Sequence, residues 1–576
     1  MKILSRRFVA ICCLLGTIVL SELGAGLLPA IAQHEVQTVY YVHGKIYTND
    51  PAQPWAEAMS VTDGKISCIG RLEHVLLECG GGGEGVQTVN LNGKFVMPGF
   101  NDAHTHLAGA AADELAVPVS NVTSIEELQK RVAEAVTHHK EREWITGGGW
   151  DHTLWPDQKF PTRQQLDAVA PKNPVILVHV SGHVAVANSL ALKIAEIDEN
   201  TPNPPGGEIE HDVLGQPTGI LKEAAAMELV RIRIPDPTTE DRRRGIELVL
   251  ANVAKNGVTS VQDFSVHDAS EWTNFEVLYD LKSEGKLTVR ITEWLPFNAT
   301  MKELQTMRAQ GGTTDPWLKT GALKAFTDGA MGSRTAALLE PYSDDPNAKG
   351  ILTSDPEKLR IMAIERDKAG FQLAFHAIGD RANRIALDVF EAVAKLNGRR
   401  DRRDRIEHAQ LISPVDFVRF ANLKVIASMQ PSHQTTDMRW VEARVGPERI
   451  KGAYAWATMQ KLGVHLAFGT DYNVEPISPF RGLYACVTRE RPEGGPKGGW
   501  EPQEKISLQD CIRNYTSGSA YAEFMEGKKG ELEPGEFADF IILSKDLTAV
   551  PPGEYTQTQV LRTVVGGRTV YQVPER

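Results

Sequence analysis

From about residue 97 to residue 471 the chain alternates short apolar runs with amphipathic stretches, and this alternation constrains its fold most. The runs include EWITGGGW, NPVILVHVSGH, GVTSVQDFS, LTVRITEWL, ALKAFTDG, FQLAFHAIGD, RIEHAQL, KVIASMQPSH and VHLAFGTD. Between them lie segments such as SIEELQKRVAEAVTHHKE and PEKLRIMAIERDKAG, with apolar residues at helical spacing. Strand-then-helix repeated many times indicates an α/β fold with a parallel sheet. Polar and acidic residues gather where the runs end, as on the rim of a (β/α)8 barrel. The Pro- and Gly-rich piece EIDENTPNPPGGEIEHDVLGQPTG, residues 196–219, reads as a long loop or hairpin leaving the barrel.

Both chain ends have a different texture. QTVYYVHGKIYTND alternates and is rich in β-branched and aromatic residues, and Asp63–Gly64 sits between two short apolar runs as a hairpin turn would. Near the other end, GELEPGEFADFIIL and TVVGGRTVYQ return to strand texture. The expected architecture is therefore α/β: a TIM-like (β/α)8 barrel over 98–524, with a small β-sandwich domain built from both ends, 33–97 plus 525–576.

The first residues stand apart. Lys2, Arg6 and Arg7 precede the apolar run FVAICCLLGTIVL, and Ala30 and Ala32 form a small-x-small cleavage site. Residues 1–32 read as a signal peptide, with an uncleaved anchor as the alternative. SRRFVA loosely resembles a twin-arginine export signal. The mature protein is expected to be exported, periplasmic or secreted. The net charge is −12, and removing three basic residues and one acid makes it more negative. Nucleic acid and anionic membrane surfaces are thereby poor partners, a small molecule is the expected one, and a homo-oligomer is compatible with the sequence. Four cysteines remain after cleavage, too few for a disulfide framework. Cys68 and Cys79 are close enough to bridge in an oxidising compartment, with four ordinary semi-buried thiols as the alternative; Cys486 and Cys511 lie in helical texture and read as packing residues.

VMPGFNDAHTHL ends the first barrel-like run in two histidines one residue apart, which a strand aims to the same face. Lys324, His376, His408 and Asp471 follow at later strand ends, in chain order. Any one of them could be an ordinary hydrogen-bonded residue. The ordered set of imidazoles and carboxylate suits zinc or a similar divalent ion. Lys324 can join only if deprotonated or modified; otherwise it partners Asp328 or another acid. A closed structural zinc site would favour Cys ligands, and no Cys lies near the set.

PGFNDAHTHL, a strand lysine, two further histidines and a terminal aspartate together resemble the amidohydrolase superfamily of metal-dependent hydrolases. GWDHTLWP, GHVAVANSLAL, DGAMGSRTAAL, HAIGDRAN, EHAQ, SMQPSH and GELEPGEFADFIIL resemble its branch that includes the N-substituted formamide deformylases. The resemblance covers essentially the whole mature chain. It implies that His104 and His106 bind the more buried ion, that Lys324 is carboxylated and bridges two ions, and that His376 and His408 bind the second. It implies that Asp471 touches the first ion and moves protons. Trp150, Asp151, His183, Asn188, Asp328, Arg334, Gln430 and His433 would contact substrate or support ligands. The implied activity is hydrolysis of an amide-like, non-peptide C–N bond in a small molecule, using one or two divalent ions, zinc first among them. A lactone or ester hydrolase on the same barrel, and a non-catalytic exported binding protein, are the alternatives.

Overall fold

The computed structural model describes residues 38–79, 86–180 and 182–574. The expected signal peptide, residues 1–32, lies outside them. The central sheet has eight parallel strands, here β1 (Phe100–Thr105), β2 (Val258–Asp263), β3 (Arg290–Pro296), β4 (Leu318–Phe326), β5 (Leu373–Ala377), β6 (Arg405–His408), β7 (Ile426–Met429) and β8 (Leu466–Phe468). Each pairs with its neighbour in chain order. Most of their residues are buried, as expected for strands covered by helices on one side and packed side chains on the other. Helices between strands start at conventional caps: Thr300 with Glu303 forms a capping box, and Asp355 caps a helix with Pro356 in its first turn.

The ring closes between β1 and the segment after β8. Thr470 N and Oγ1 both donate to the Asp102 carboxylate, at 2.9 and 2.5 Å, and Asp471 N donates to His104 O at 2.9 Å. Gly469 makes this approach feasible, because a Cβ there would stand 2.6 Å from His104 N. Asp102 is fully buried, and burial pushes its carboxyl up to about 7.

The chain ends supply two further sheets. Residues 38–42, 58–62, 65–70 and 87–90 form a four-stranded sheet; residues 45–47, 55–56, 95–98, 540–543, 560–565 and 568–572 form a six-stranded one. Alternation decides what each face covers. Ile46, Val96, Phe540 and Ile542 pack against Tyr41, Met59 and Ile66 of the other sheet, whereas Tyr47, Phe95, Met97, Ile541 and Leu543 join the barrel core. The six-stranded sheet is thus shared between the two cores, and the strand Phe95–Pro98 leads directly into β1. Arg290, at the start of β3, also binds Asp539 through two hydrogen bonds of 2.6 and 3.0 Å.

A third unit interrupts the barrel between β1 and β2. Residues 117–118, 145–150, 175–179, 184–187, 208–211 and 217–222 form their own mixed six-stranded sheet. This corrects the sequence reading, which counted EWITGGGW and NPVILVHVSGH among barrel strands. The expected excursion at 196–219 is real: it ends in an antiparallel hairpin within this sheet. The cysteine reading also needs correction. Cys68 pairs with Cys79, a bridge the sequence left open, and Cys486 and Cys511, read as packing residues, form a disulfide between the helices Pro479–Thr488 and Leu508–Asn514.

Candidate metal centre

The six sequence-derived ligands converge at the carboxyl ends of the barrel strands, where loops leave the sheet. His104 lies within β1 and His106 one step beyond it, at the start of the helix Leu107–Leu115. Lys324 lies on β4, His376 on β5 and His408 at the end of β6, while Asp471 follows β8. His104, Lys324 and Asp471 are at most 4% exposed.

Each imidazole is oriented by an acceptor. His104 Nδ1 meets Glu407 Oε2 at 2.6 Å, His106 Nδ1 meets Phe264 O at 3.1 Å, and His408 Nδ1 meets Gln430 Oε1 at 2.8 Å. His376 Nε2 meets Gly329 O at 3.2 Å. A ring that donates from one nitrogen keeps a lone pair on the other, which is the form that binds a metal. Burial enforces neutrality: it lowers His104 to about 4 and His376 to about 3, with the Lys324 charge adding to both.

Glu407 anchors this arrangement. Burial alone would raise its carboxyl, but the Arg405 guanidinium and the bond from His104 hold it at about 2. Arg405 in turn binds Ala103 O and Ser428 Oγ, at 2.8 and 2.7 Å. Trp294 lies edge-on to His104, with ring centroids 5.2 Å apart. Lys324 Nζ stands 3.0 Å from His104 Nε2, and burial pulls its ammonium down to about 8. It does not pair with Asp328, whose carboxylate instead accepts from the backbone N–H groups of Ala337, Ile378 and Gly379. Burial nevertheless pushes Asp328 up to about 7.

Asp471 fits a cation site. Its Oδ1 is buried, 3.1 Å from His106 Nε2 and 3.6 Å from His104 Nε2, with no well-aligned hydrogen bond to either ring. His433 Nε2, 3.5 Å from Asp471 Oδ2, is buried and unpartnered. Ligand atoms about 2.0–2.2 Å from a tetrahedral ion lie roughly 3.2–3.6 Å from one another. The donor set and its spacing therefore fit a divalent ion.

The ligands open onto a cavity of about 380 Å³. Its outer wall includes Phe326, Met331, Ile378, Trp440 and Val474, with Gln410, Thr436, Asp437 and Glu475 as polar members. Among the described residues, Lys324 is the only Lys or Arg lining it.

The expected substrate contacts divide. His433 lines the cavity, and Gln430 and Asp328 stand behind His408 and His376. Arg334 is turned into an ion pair with Asp344, at 3.0 Å, outside the cavity lining. Trp150, Asp151 and His183 belong to the inserted unit: Trp150 is fully buried and donates to Leu177 O, and His183 is exposed beside Glu223. Asn188 caps the helix Ser189–Ile194, and Asp380 accepts from Leu339 N. Sequence reasoning missed Glu407, Asp102, Asp437 and Glu475. Arg405 and Glu407, opposite charges two apart and so on one face of a short strand, were the available signal for the first.

Comparison with known proteins agrees with this geometry. The amidohydrolase family profile matches residues 87–571. The chain belongs to the amidohydrolase family. It is 36% identical over 551 residues to Protein LONG AFTER FAR-RED 3 of Arabidopsis thaliana, covering 93% of this chain and 92% of that one. It is 28% identical to the N-substituted formamide deformylase of Arthrobacter pascens, covering 93% and 99%. An uncharacterized metal-dependent hydrolase of Pyrococcus horikoshii OT3 superposes with a TM-score of 0.73 at 32% identity, covering 90% of this chain and 99% of that one. Family and site together support a divalent-metal-dependent hydrolase.

Proposed function

We propose that the protein hydrolyses an amide-like, non-peptide C–N bond of a small molecule. The observation that carries this is Asp471, whose buried oxygen lies between His104 and His106 at the floor of a cavity. His104, His106 and Asp471 would hold one ion, His376 and His408 would hold a second, and Lys324, carboxylated on its amine, would supply a further oxygen donor between them. Zinc suits these nitrogen and oxygen donors. A bound ion supplies an acidic water and polarises the carbonyl. Asp471 takes the proton and returns it to the leaving nitrogen, because a carboxylate can do both. The burial that lowers Lys324 to about 8 supports the neutral amine that carboxylation needs.

The wall chemistry narrows the substrate. Phe326, Met331 and Trp440 favour an apolar substituent, and Asp437 and Glu475 favour a neutral or cationic group over a carboxylate. The two end sheets are read as a composite β-sandwich, 33–97 plus 525–576, that seats β1. Two disulfides support an oxidising compartment, in keeping with export to the periplasm or outside the cell.

The test is a panel of N-acyl amines with matched esters and lactones, offered to zinc- and bicarbonate-loaded protein. Amine release is expected, and Asp471→Asn should reduce it by roughly 100-fold or more. Ester or lactone turnover without amine release would replace the C–N reading. No turnover of any member by fully loaded protein would favour a binding protein.

A further inference from the structure

A second group of metal-binding side chains lies outside the barrel. In the inserted sheet, the strands Ile145–Trp150 and Val175–His179 pair in parallel, with Trp150 opposite His179. Asp151 and His152 follow the first strand directly and His179 ends the second, so three side chains meet at the carboxyl ends of adjacent parallel strands. Open α/β sheets bind ligands at that same edge. None of the three lines the catalytic cavity.

The spacing approaches that of a coordination sphere, with the two histidines at ligand distance and Asp151 slightly farther out. His152 Nδ1 lies 3.3 Å from His179 Nε2, and His179 Nε2 lies 3.9 Å from Asp151 Oδ1. One ligand atom from each of the three falls within 4.8 Å of the others. Two imidazole nitrogens about 2.0–2.1 Å from a tetrahedral ion lie roughly 3.3 Å apart. The rings are held in place: Trp150 meets His179 with centroids 4.6 Å apart, and Phe160 meets His152 at 4.4 Å. Asp151 Oδ1 also accepts from Thr153 N and Oγ1, which fixes the carboxylate beside His179.

We propose that Asp151, His152 and His179 form a second metal site, independent of the hydrolytic centre, that takes one zinc-like divalent ion. Three protein ligands of two nitrogens and one oxygen leave a fourth position for water. Asp151 is 27% exposed at its side chain and His179 11%, so the ion has a path from solvent. The ion ties the turn after residue 150 to the end of the neighbouring strand. Its role is to fix the rim of the inserted sheet.

The experiment counts zinc per chain by elemental mass spectrometry after stripping, reloading with zinc and bicarbonate, and gel filtration. Wild type, His152→Gln, His179→Gln and the exposed control His138→Gln are compared. Each of the first two variants should hold one ion fewer than wild type, and the control should match wild type. Equal zinc in all four proteins would overturn the proposal, leaving an ordinary histidine–histidine hydrogen bond. Should the variants fail to fold, the wild-type protein decides by hydrogen exchange. Zinc should protect peptides covering residues 150–155 and 175–180, and no added protection there would refute the site. Neither readout depends on hydrolytic activity, so failure of the C–N reading would leave this result standing.

Discussion

Glu407→Gln isolates the support beneath the first pair of ligands. The glutamate accepts from two residues at once: Arg405, through Nε and Nη2, and His104, through Nδ1 at 2.6 Å. An amide has one acceptor oxygen, so the variant must turn an N–H group towards Arg405 or towards His104. Keeping Arg405 satisfied sacrifices the bond that sets the His104 tautomer. A charge-assisted hydrogen bond of this kind contributes about 1.5–3 kcal/mol. If the loss falls on the metal-bound state, zinc binds roughly 10- to 100-fold more weakly. The assay is zinc competition against a fluorescent chelator at pH 7.5, with far-UV circular dichroism to show that the barrel has formed. Glu407→Asp, which keeps the charge, should lose less. Wild-type zinc affinity in folded Glu407→Gln would refute the idea that Glu407 orients His104.

Three other expectations follow from the same geometry. If Lys324 carries a carbamate, 13C-bicarbonate should give a carbamate carbon signal in wild type that Lys324→Arg lacks, and the variant should hold fewer ions at the hydrolytic centre; an identical signal in both would remove Lys324 as the site. Gly469→Ala places a Cβ 2.6 Å from His104 N and 2.7 Å from Asp102 Oδ1, so it should cost about 1–3 kcal/mol and lower Tm in calorimetry; an unchanged Tm would contradict closure at this point. His104 and His376 stand at about 4 and 3, lowered first by burial, against 6.5 for a free histidine. Between those values the unfolded chain holds protons that the folded chain does not. Metal-free protein should therefore lose stability as pH falls from 6.5 towards 3, and a flat Tm across that window would refute a buried neutral cluster.

The sequence made the candidate ligand set legible because each member sits at the end of an apolar run, and strand geometry carries such ends to one rim. His104 and His106 needed only the period of a strand. The inserted unit was not legible, for a physical reason. Its strands at 145–150 and 175–179 are parallel and flank the helix Arg163–Asp167, so locally they have the same βαβ texture as the barrel. Periodicity shows that a strand exists, and not which sheet it joins. Glu407 was hidden because its partner His104 is 303 residues away in sequence. Cys486 and Cys511 stand on the buried faces of two helices, where packing and pairing leave the same local pattern. The acids Asp437 and Glu475 acquire meaning only once separate loops surround one cavity.

The most direct test of the account is the rate of amine release from an N-acyl amine by one preparation of the protein: as isolated, after chelation, and after reloading with zinc and bicarbonate. The account predicts that chelation abolishes release and reloading restores it. Release that persists undiminished in metal-free protein would contradict a hydrolytic centre built on His104, His106 and Asp471.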